Sequence, residues 1–220
     1  MTFVVTAGPT REHLDPVRFL SNPSTGKMGF AVAAAAARLR HQVTLVAGPV
    51  SLPAPKGVRR VDVTSAREML AATERAVRDA AGRGESVVVV STAAVADWRP
   101  AKCAAKKLKK AQMDGTLRLV RNPDILQSLS RLPPGVRPIL VGFAAETGDA
   151  VAEARRKCRE KRLSFIVAND VTERGSGFGT DTDRVTFVFP DGRTTPLPLM
   201  TKRAVAGRIV AEVLRTGESF

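Results

Sequence analysis

Residues 6–29, TAGPTREHLDPVRFLSNPSTGKMG, decide how the rest of the chain is read. They follow the apolar run Phe3-Val4-Val5 and lead into GKMGFAVAAAAARLR at 26–40, whose composition is helix-forming throughout. The stretch is therefore the first strand-to-helix connection of an α/β protein. In such sheets ligands bind beyond the carboxyl ends of the strands, and the first connection usually handles an anionic group. This connection is too long for a plain turn, and its Gly, Pro, Asn, Ser and Thr residues supply special backbone angles and short polar groups. It reads as a substrate loop.

Working outward, Thr2–Thr6 reads as a buried parallel strand and Val43–Val46 as the second. Val61–Val63 is a short third strand, and Thr64 or Ser65 caps a helix over Ala66–Ala81 with Glu68 completing a capping box. The four valines of Ser86–Ser91 predict a strand buried on both faces. Leu117–Val120, Pro138–Gly142 and Phe165–Ala168 are further strands. Asn122 is expected to cap a short helix with Pro123 at its first position, and Asp149 to open a charged helix ending near Arg162. The pattern then changes to a hairpin, Arg184–Phe189 and Thr194–Leu197, before a last helix from about Met200 to Leu214. The active surface should collect the segments after strand ends: 6–29, 91–110, 143–147 and 169–183.

The chain has 220 residues, 44% of them apolar, enough for a substantial core in one domain. A formal charge of +14 makes the surface attractive to anions. Nucleic acid is disfavoured as the partner, because Tyr is absent, there is one Trp, and most Phe residues lie in apolar runs. Cys103 and Cys158 show no metal or disulfide spacing. Met1 runs straight into strand-like residues without a basic leader, and no apolar stretch approaches the ~18 residues of a membrane span. A cytoplasmic protein is expected.

Two familiar nucleotide loops fail. A Walker loop would need glycine at Ser21 and a hydroxyl at Met28, and no GxGxxG follows the first strand. Ser24, Thr25, Gly26 and Lys27 nevertheless converge at a helix start, which suits a phosphate or carboxylate; the plainer reading is a helix cap with glycines for packing. Lys106-Lys107-Leu108-Lys109-Lys110 is either a solvated basic face or a lysine loop that closes over a triphosphate. Asp97 suits a nucleotide hydroxyl, an amino group or a hydrated magnesium ion, unless it merely turns the chain. Lys157 and Lys161 stand one helical turn apart on one face. His13 and His41 are isolated, and no Ser/His/Asp triad, metal cluster or carboxylate pair is apparent. The suggested chemistry is electrostatic, with lysines positioning anions.

Together, TAGPTREHLDPVRFLSNPSTGKMG, VTLVAGPVSLP, AAVADWRP, KLKK, NPDI, GFAAET, ANDV and GFGTDTDRVT resemble the phosphopantothenoylcysteine synthetase family over nearly the whole chain. Because the chain begins at the synthetase's first strand, the resemblance implies a stand-alone bacterial-type or excised synthetase domain without the flavin-dependent decarboxylase. The implied fold is α/β and Rossmann-like, a mainly parallel sheet with crossover helices and an antiparallel hairpin extension near the C-terminus. Residues 1–220 form one ligase domain in this reading, with a flexible flap at about 99–115.

The implied reaction joins 4′-phosphopantothenate to L-cysteine through an acyl-nucleotidylate, acyl-CMP if the nucleotide is CTP; CTP or ATP is the co-substrate, magnesium accompanies it, and KLKK resembles the CTP-using bacterial pattern. By motif, Asn22 and Lys107 carry catalysis, Asn22 holding the acyl-nucleotidylate and Lys107 lying on the flap. Ser91, Thr92, Ala93, Asp97, Lys107, Asn122, Pro123, Asp124, Ile125, Phe143, Lys157 and Lys161 correspond to nucleotide-binding positions. Ser24, Thr25, Gly26 and Lys27 remain for the substrate phosphate or acyl group, and the metal ligands stay open. Pro23 and Thr25 vary the more familiar SNHSSGKMG, and Asp183 replaces an asparagine often found there. The resemblance also implies a homodimer, with 184–197 or 101–120 exchanging contacts, and leaves open a separate decarboxylase partner. Against the ligase stand a basic anion- or nucleic-acid-binding module without catalysis and an NAD(P)-linked reductase.

Overall fold

The computed structural model describes residues 1–109, 115–147 and 150–217. Among the described residues fourteen strands and five helices follow in the order β1 (Thr2–Ala7), β2 (Arg11–His13), β3 (Phe19–Ser21), α1 (Lys27–Arg38), β4 (Gln42–Ala47), β5 (Arg59–Asp62) and α2 (Ala66–Ala81). Then come β6 (Val87–Ser91), β7 (Trp98–Pro100), β8 (Leu119–Arg121), α3 (Ile125–Ser130), β9 (Ile139–Glu146), α4 (Ala150–Glu160) and β10 (Phe165–Asp170). The chain closes with β11 (Thr182–Asp183), β12 (Thr186–Val188), β13 (Thr194–Pro196), β14 (Met200–Thr201) and α5 (Lys202–Gly217). Among the described residues no helix is long and apolar enough to cross a membrane.

The main sheet has the spatial order β13-β12-β10-β9-β6-β1-β4-β5. The six strands from β5 to β10 pair in parallel, and β12 and β13 extend the sheet antiparallel. Counted as the chain visits them, the parallel strands run 3-2-1-4-5-6, the doubly wound order whose direction reverses between β1 and β6. That reversal opens a crevice at the carboxyl ends of β1 and β6.

Alternation of side chains explains why the strands are apolar on both faces. Phe3, Val5, Val88, Val90, Phe165 and Val167 face the core beneath α1 and α5, whereas Val4, Val87, Val89 and Ile166 face the core built with α2, α3 and α4. Each buried valine or phenylalanine contributes on the order of 1.5–3 kcal/mol over exposure. The alanines of α1 bring its backbone close to the sheet, and Val205, Ile209 and Val213 of α5 fill the same layer.

Several local expectations shift. Ser65 caps α2, accepting from the Glu68 amide at 3.3 Å, while Glu68 reaches back to the Thr64 amide at 2.7 Å, one residue before the cap, so the expected capping box forms only in this shifted version. Glu12 of the first connection adds a further acceptor to that helix start, at 2.9 Å from the Ala66 amide. Asn122 does not cap α3; Asp124 does, through the Gln127 amide at 3.0 Å. The strands expected to end at Gly142 and Ala168 run on to Glu146 and Asp170. The 6–29 connection contains a small antiparallel hairpin, β2 with β3. The helix start placed at Asp149 and the flap's 110–114 lie outside the described residues.

Gly29 marks where α1 touches the sheet: a Cβ there would stand 2.5 Å from the Ala7 Cβ and 2.4 Å from Thr92 Oγ1. Gly207, exposed on α5, has nothing within 4 Å of such an atom. Gly29→Ala should therefore lower unfolding stability by about 1–3 kcal/mol through overpacking. Gly207→Ala should raise it by about 0.5–1 kcal/mol through the helix-interior preference for alanine. Urea unfolding of the two variants measures both signs; equal losses would remove the close-approach argument.

Candidate functional site

The crevice is closed at its base by the two connections that leave β1 and β6. Pro9 and Ala94 form a parallel bridge. The Ala94 amide donates to Gly8 O at 2.9 Å, and its carbonyl accepts from the Thr10 amide at 3.2 Å. Thr10 Oγ1, fully buried, accepts from the Ala96 amide at 3.0 Å. Asn22 Nδ2 donates to the same Ala94 carbonyl at 3.1 Å, which fixes the Asn22 side chain against the segment after β6.

Two adjoining depressions open above this base. The first, about 340 Å³, is lined by Asn22, Ser24, Thr25, Gly26, Lys27, Thr92, Ala93, Phe143 and Lys157 from the sequence-derived set. Gly26, in the left-handed conformation, is the N-cap of α1, and no side chain caps that helix. Ser24 Oγ accepts from the Gly26 amide at 3.4 Å, so the plainer alternative, Ser24 or Thr25 as the helix cap, is not what forms. An uncapped helix start with free first-turn N–H groups is suited to a phosphate or carboxylate. Lys27, expected to meet the anion, pairs with Asp181 Oδ1 at 2.7 Å and Gly179 O at 3.0 Å.

The second depression, about 220 Å³, is lined by Ser91, Ala93, Asp97, Asn122, Pro123, Asp124, Ile125, Phe143, Lys157 and Lys161. Thr92 is absent from it: its hydroxyl donates to Thr6 O at 2.7 Å and its side chain lines the first depression. Asn122 stitches the Asp97 turn, its amide donating to Asp97 O at 2.8 Å and its Nδ2 to Ala96 O at 2.8 Å, while Oδ1 accepts from Arg99 at 3.2 Å. Lys161 pairs with Asp124 at 2.6 Å and Lys157 with Glu146 at 2.6 Å. Burial works against the charge on Lys157, but the Glu146 and Glu153 carboxylates outweigh it and raise its pKa. Phe143, Lys157, Ala93 and Val95 line both depressions.

Lys107 lines neither depression and its side chain is exposed. Its neighbour Leu108 is held by Asp15 and Arg18 of the first connection. Lys110 of the lysine run lies outside the described residues.

The far wall of the first depression is made by Glu146, Asn169, Phe178 and Asp183, which lie in the segments 143–147 and 169–183 expected at the active surface but were not singled out as site residues, and by Lys202, which sequence reasoning missed. Asp183 is buried and its Oδ1 accepts from Asn169 Nδ2 at 3.1 Å, the Gly177 amide at 3.3 Å and the Ser176 hydroxyl. Lys202 Nζ donates to Gly177 O at 2.7 Å. Burial pushes the Lys202 ammonium below its ordinary pKa, and the nearby Asp183 charge opposes that shift. The motif ANDV at 168–171 carried a hint of this cluster, but its partners are distant in the chain. Among the described residues no group of three His, Cys, Asp or Glu side chains is placed to hold a metal ion.

Comparison with known proteins identifies the family of the chain. The family model described as DNA/pantothenate metabolism flavoprotein C-terminal domain matches residues 1–216. The coenzyme A biosynthesis bifunctional protein CoaBC of Bacillus subtilis is 48% identical over 220 residues, 98% of this chain and 52% of that protein. Its counterpart in Vibrio vulnificus is 45% identical over 214 residues, 96% and 51% respectively. The chain thus spans about half the length of the curated relatives it matches. The crystal structure of the C-terminal domain of CoaBC superposes with a TM-score of 0.82 at 38% identity, covering 100% of this chain and 96% of that one. The chain belongs to the DNA/pantothenate metabolism flavoprotein C-terminal domain family.

The Asp183 cluster yields a stability test. Asp183→Ala leaves Asn169 and Ser176 without their buried acceptor and Lys202 without its neighbouring charge, so a loss of about 3 kcal/mol or more is expected. Asp183→Asn retains one carbonyl oxygen and should lose less than half as much. Chemical denaturation of both variants gives the comparison, and equal losses would show that the charge rather than the acceptor matters.

Proposed function

We propose that this chain is a nucleotide-dependent phosphopantothenate–cysteine ligase of coenzyme A biosynthesis, acting through an acyl-nucleotidylate. The observation that carries the reading is the pair of adjoining depressions with a common wall at Phe143 and Lys157. Such a site can hold a carboxylate donor and a nucleoside triphosphate side by side, their reacting ends meeting at the shared wall. The role of its 45–48% identical relatives, coenzyme A biosynthesis, supports the same assignment.

In this reading the nucleotide occupies the second depression. Phe143 packs against the base, main-chain groups of residues 91–93 and 122–125 line the site, and Lys157 and Lys161 exchange their carboxylate partners for phosphate oxygens. The substrate's phosphate or acyl group lies near Ser24–Lys27, with Asn22 beside the reacting carbon. A carboxylate oxygen attacks the α-phosphorus, the bond to pyrophosphate breaks, and Lys107 on the flap balances the leaving charge. The cysteine amine then attacks the acyl carbon, the nucleoside monophosphate departs and the amine loses its proton. Magnesium is expected to arrive with the triphosphate, since the protein offers single carboxylates rather than a cage; exposed Asp97 is the residue suited to its hydrated ion, which neutralises phosphate charge. CTP is the proposed nucleotide, on the family resemblance of KLKK.

We further place this activity in a single cytoplasmic domain acting as a homodimer. Val17, Phe19, Trp98, Leu117 and Leu119 are exposed apolar side chains carried by the β2–β3 and β7–β8 regions, a patch suited to a partner copy. One protomer would then complete the other's phosphopantothenate site, and activity should fall on dilution to nanomolar protein. Whether a decarboxylase acts on the product from the same or a separate polypeptide does not alter the site.

Incubation with CTP or ATP, magnesium, phosphopantothenate and cysteine should release pyrophosphate; no release with either nucleotide sinks the ligase. Lys107→Gln should slow turnover with stability changed by less than about 0.5 kcal/mol, because the side chain is exposed. Asn22→Asp should impair amide formation and let the acyl-nucleotidylate accumulate, as mass spectrometry of a quenched reaction can show.

A further inference from the structure

The tip of the β2–β3 hairpin grips the lysine segment at two points. Leu14 O accepts from the Ala104 amide at 2.8 Å. Four residues later both backbone groups of Leu108 are held: its N–H donates to Asp15 Oδ2 at 3.2 Å, and its carbonyl accepts from Arg18 Nη2 at 2.9 Å. Asp15 has no exposed surface. Its Oδ1 accepts from the amides of Val17 at 2.8 Å and Arg18 at 2.9 Å, and its Oδ2 from Arg18 Nε at 3.0 Å and Nη2 at 2.6 Å.

The two oxygens have separate jobs. Oδ1 closes the hairpin turn and would suffice for it. Oδ2 takes no backbone amide of the turn; it pairs with the Arg18 guanidinium and takes the Leu108 amide. We propose that Asp15 is a positioning residue whose second oxygen, with Arg18, fixes the backbone beside Lys107 to the loop that carries Asn22. The catalytic purpose of this anchor rests on the ligase reading of Lys107, whereas the anchor itself does not. A lysine on a tethered backbone surrenders less conformational freedom when it meets its anion than one on a free loop. The Arg18 guanidinium holds the Asp15 carboxyl well below the usual carboxylate range, so the clamp stays charged at ordinary pH.

Asp15→Asn separates the two jobs, since its carbonyl oxygen can keep the turn while its amide nitrogen cannot accept from Arg18 or Leu108. Hydrogen exchange should show the Leu108 amide at least about tenfold less protected in the variant, with Val17 and Phe30 unchanged. In the ligase assay kcat should fall about tenfold with little change in KM for the nucleotide, and the loss should vanish in a Lys107→Gln background. A Leu108 amide unprotected in the unmutated protein, or equally protected in both proteins, overturns the anchor. Faster exchange with unchanged kcat overturns its catalytic purpose. Full activity of Lys107→Gln overturns that purpose and the flap assignment together, while the exchange result still decides the anchor.

Discussion

The Ala94 carbonyl and amide are the joint on which the site depends. Through them the connection after β6 is bonded to Gly8, Thr10 and Asn22, so two loops that would otherwise be independent form one rigid floor. Loops over an open sheet end normally carry the mobility of surface segments. Here the buried hydroxyl of Thr10 and its bond to the Ala96 amide extend the floor one residue further. Asn22 is consequently held from outside its own loop, and that is how a residue between a serine and a proline acquires a defined direction.

The electrostatics are less generous to anions than the net charge of +14 suggests. Three of the cations that border the depressions are paired with carboxylates: Lys27 with Asp181, Lys157 with Glu146 and Lys161 with Asp124, whereas Lys202 bonds the Gly177 carbonyl. Binding a polyanion at these groups is an exchange of partners, in which a phosphate oxygen must outcompete a carboxylate oxygen at similar distance. Such an arrangement keeps lysines oriented before the ligand arrives and disfavours weakly charged anions. The uncapped start of α1 is different, because its N–H groups have no side chain to displace.

Much of the fold was legible because the signals were long or chemically unambiguous. Four consecutive valines name a central strand, and Ser65 with Glu68 names a helix start, since each pattern has one economical solution. The β2–β3 hairpin was hidden because Arg-Glu-His and Phe-Leu-Ser are too short to establish a period. Asn122 misled because Asn-Pro resembles a cap and first turn, yet the next acidic residue was better placed to accept the helix amides. The near wall of the site came from loops flanking visible strands. The far wall came from Asn169, Asp183 and Lys202, polar residues 14 or more positions apart whose pairing is a property of the folded sheet.

The shared wall has a thermodynamic consequence. Phe143 and Lys157 belong to both cavities, so neither can be filled without acting on side chains that bound the other. Any preference that one ligand imposes on that wall must be returned by the other with the same factor, because coupling free energy between two sites is reciprocal. Ligands that fill both depressions therefore change each other's affinity through this wall by one common factor, whichever binds first.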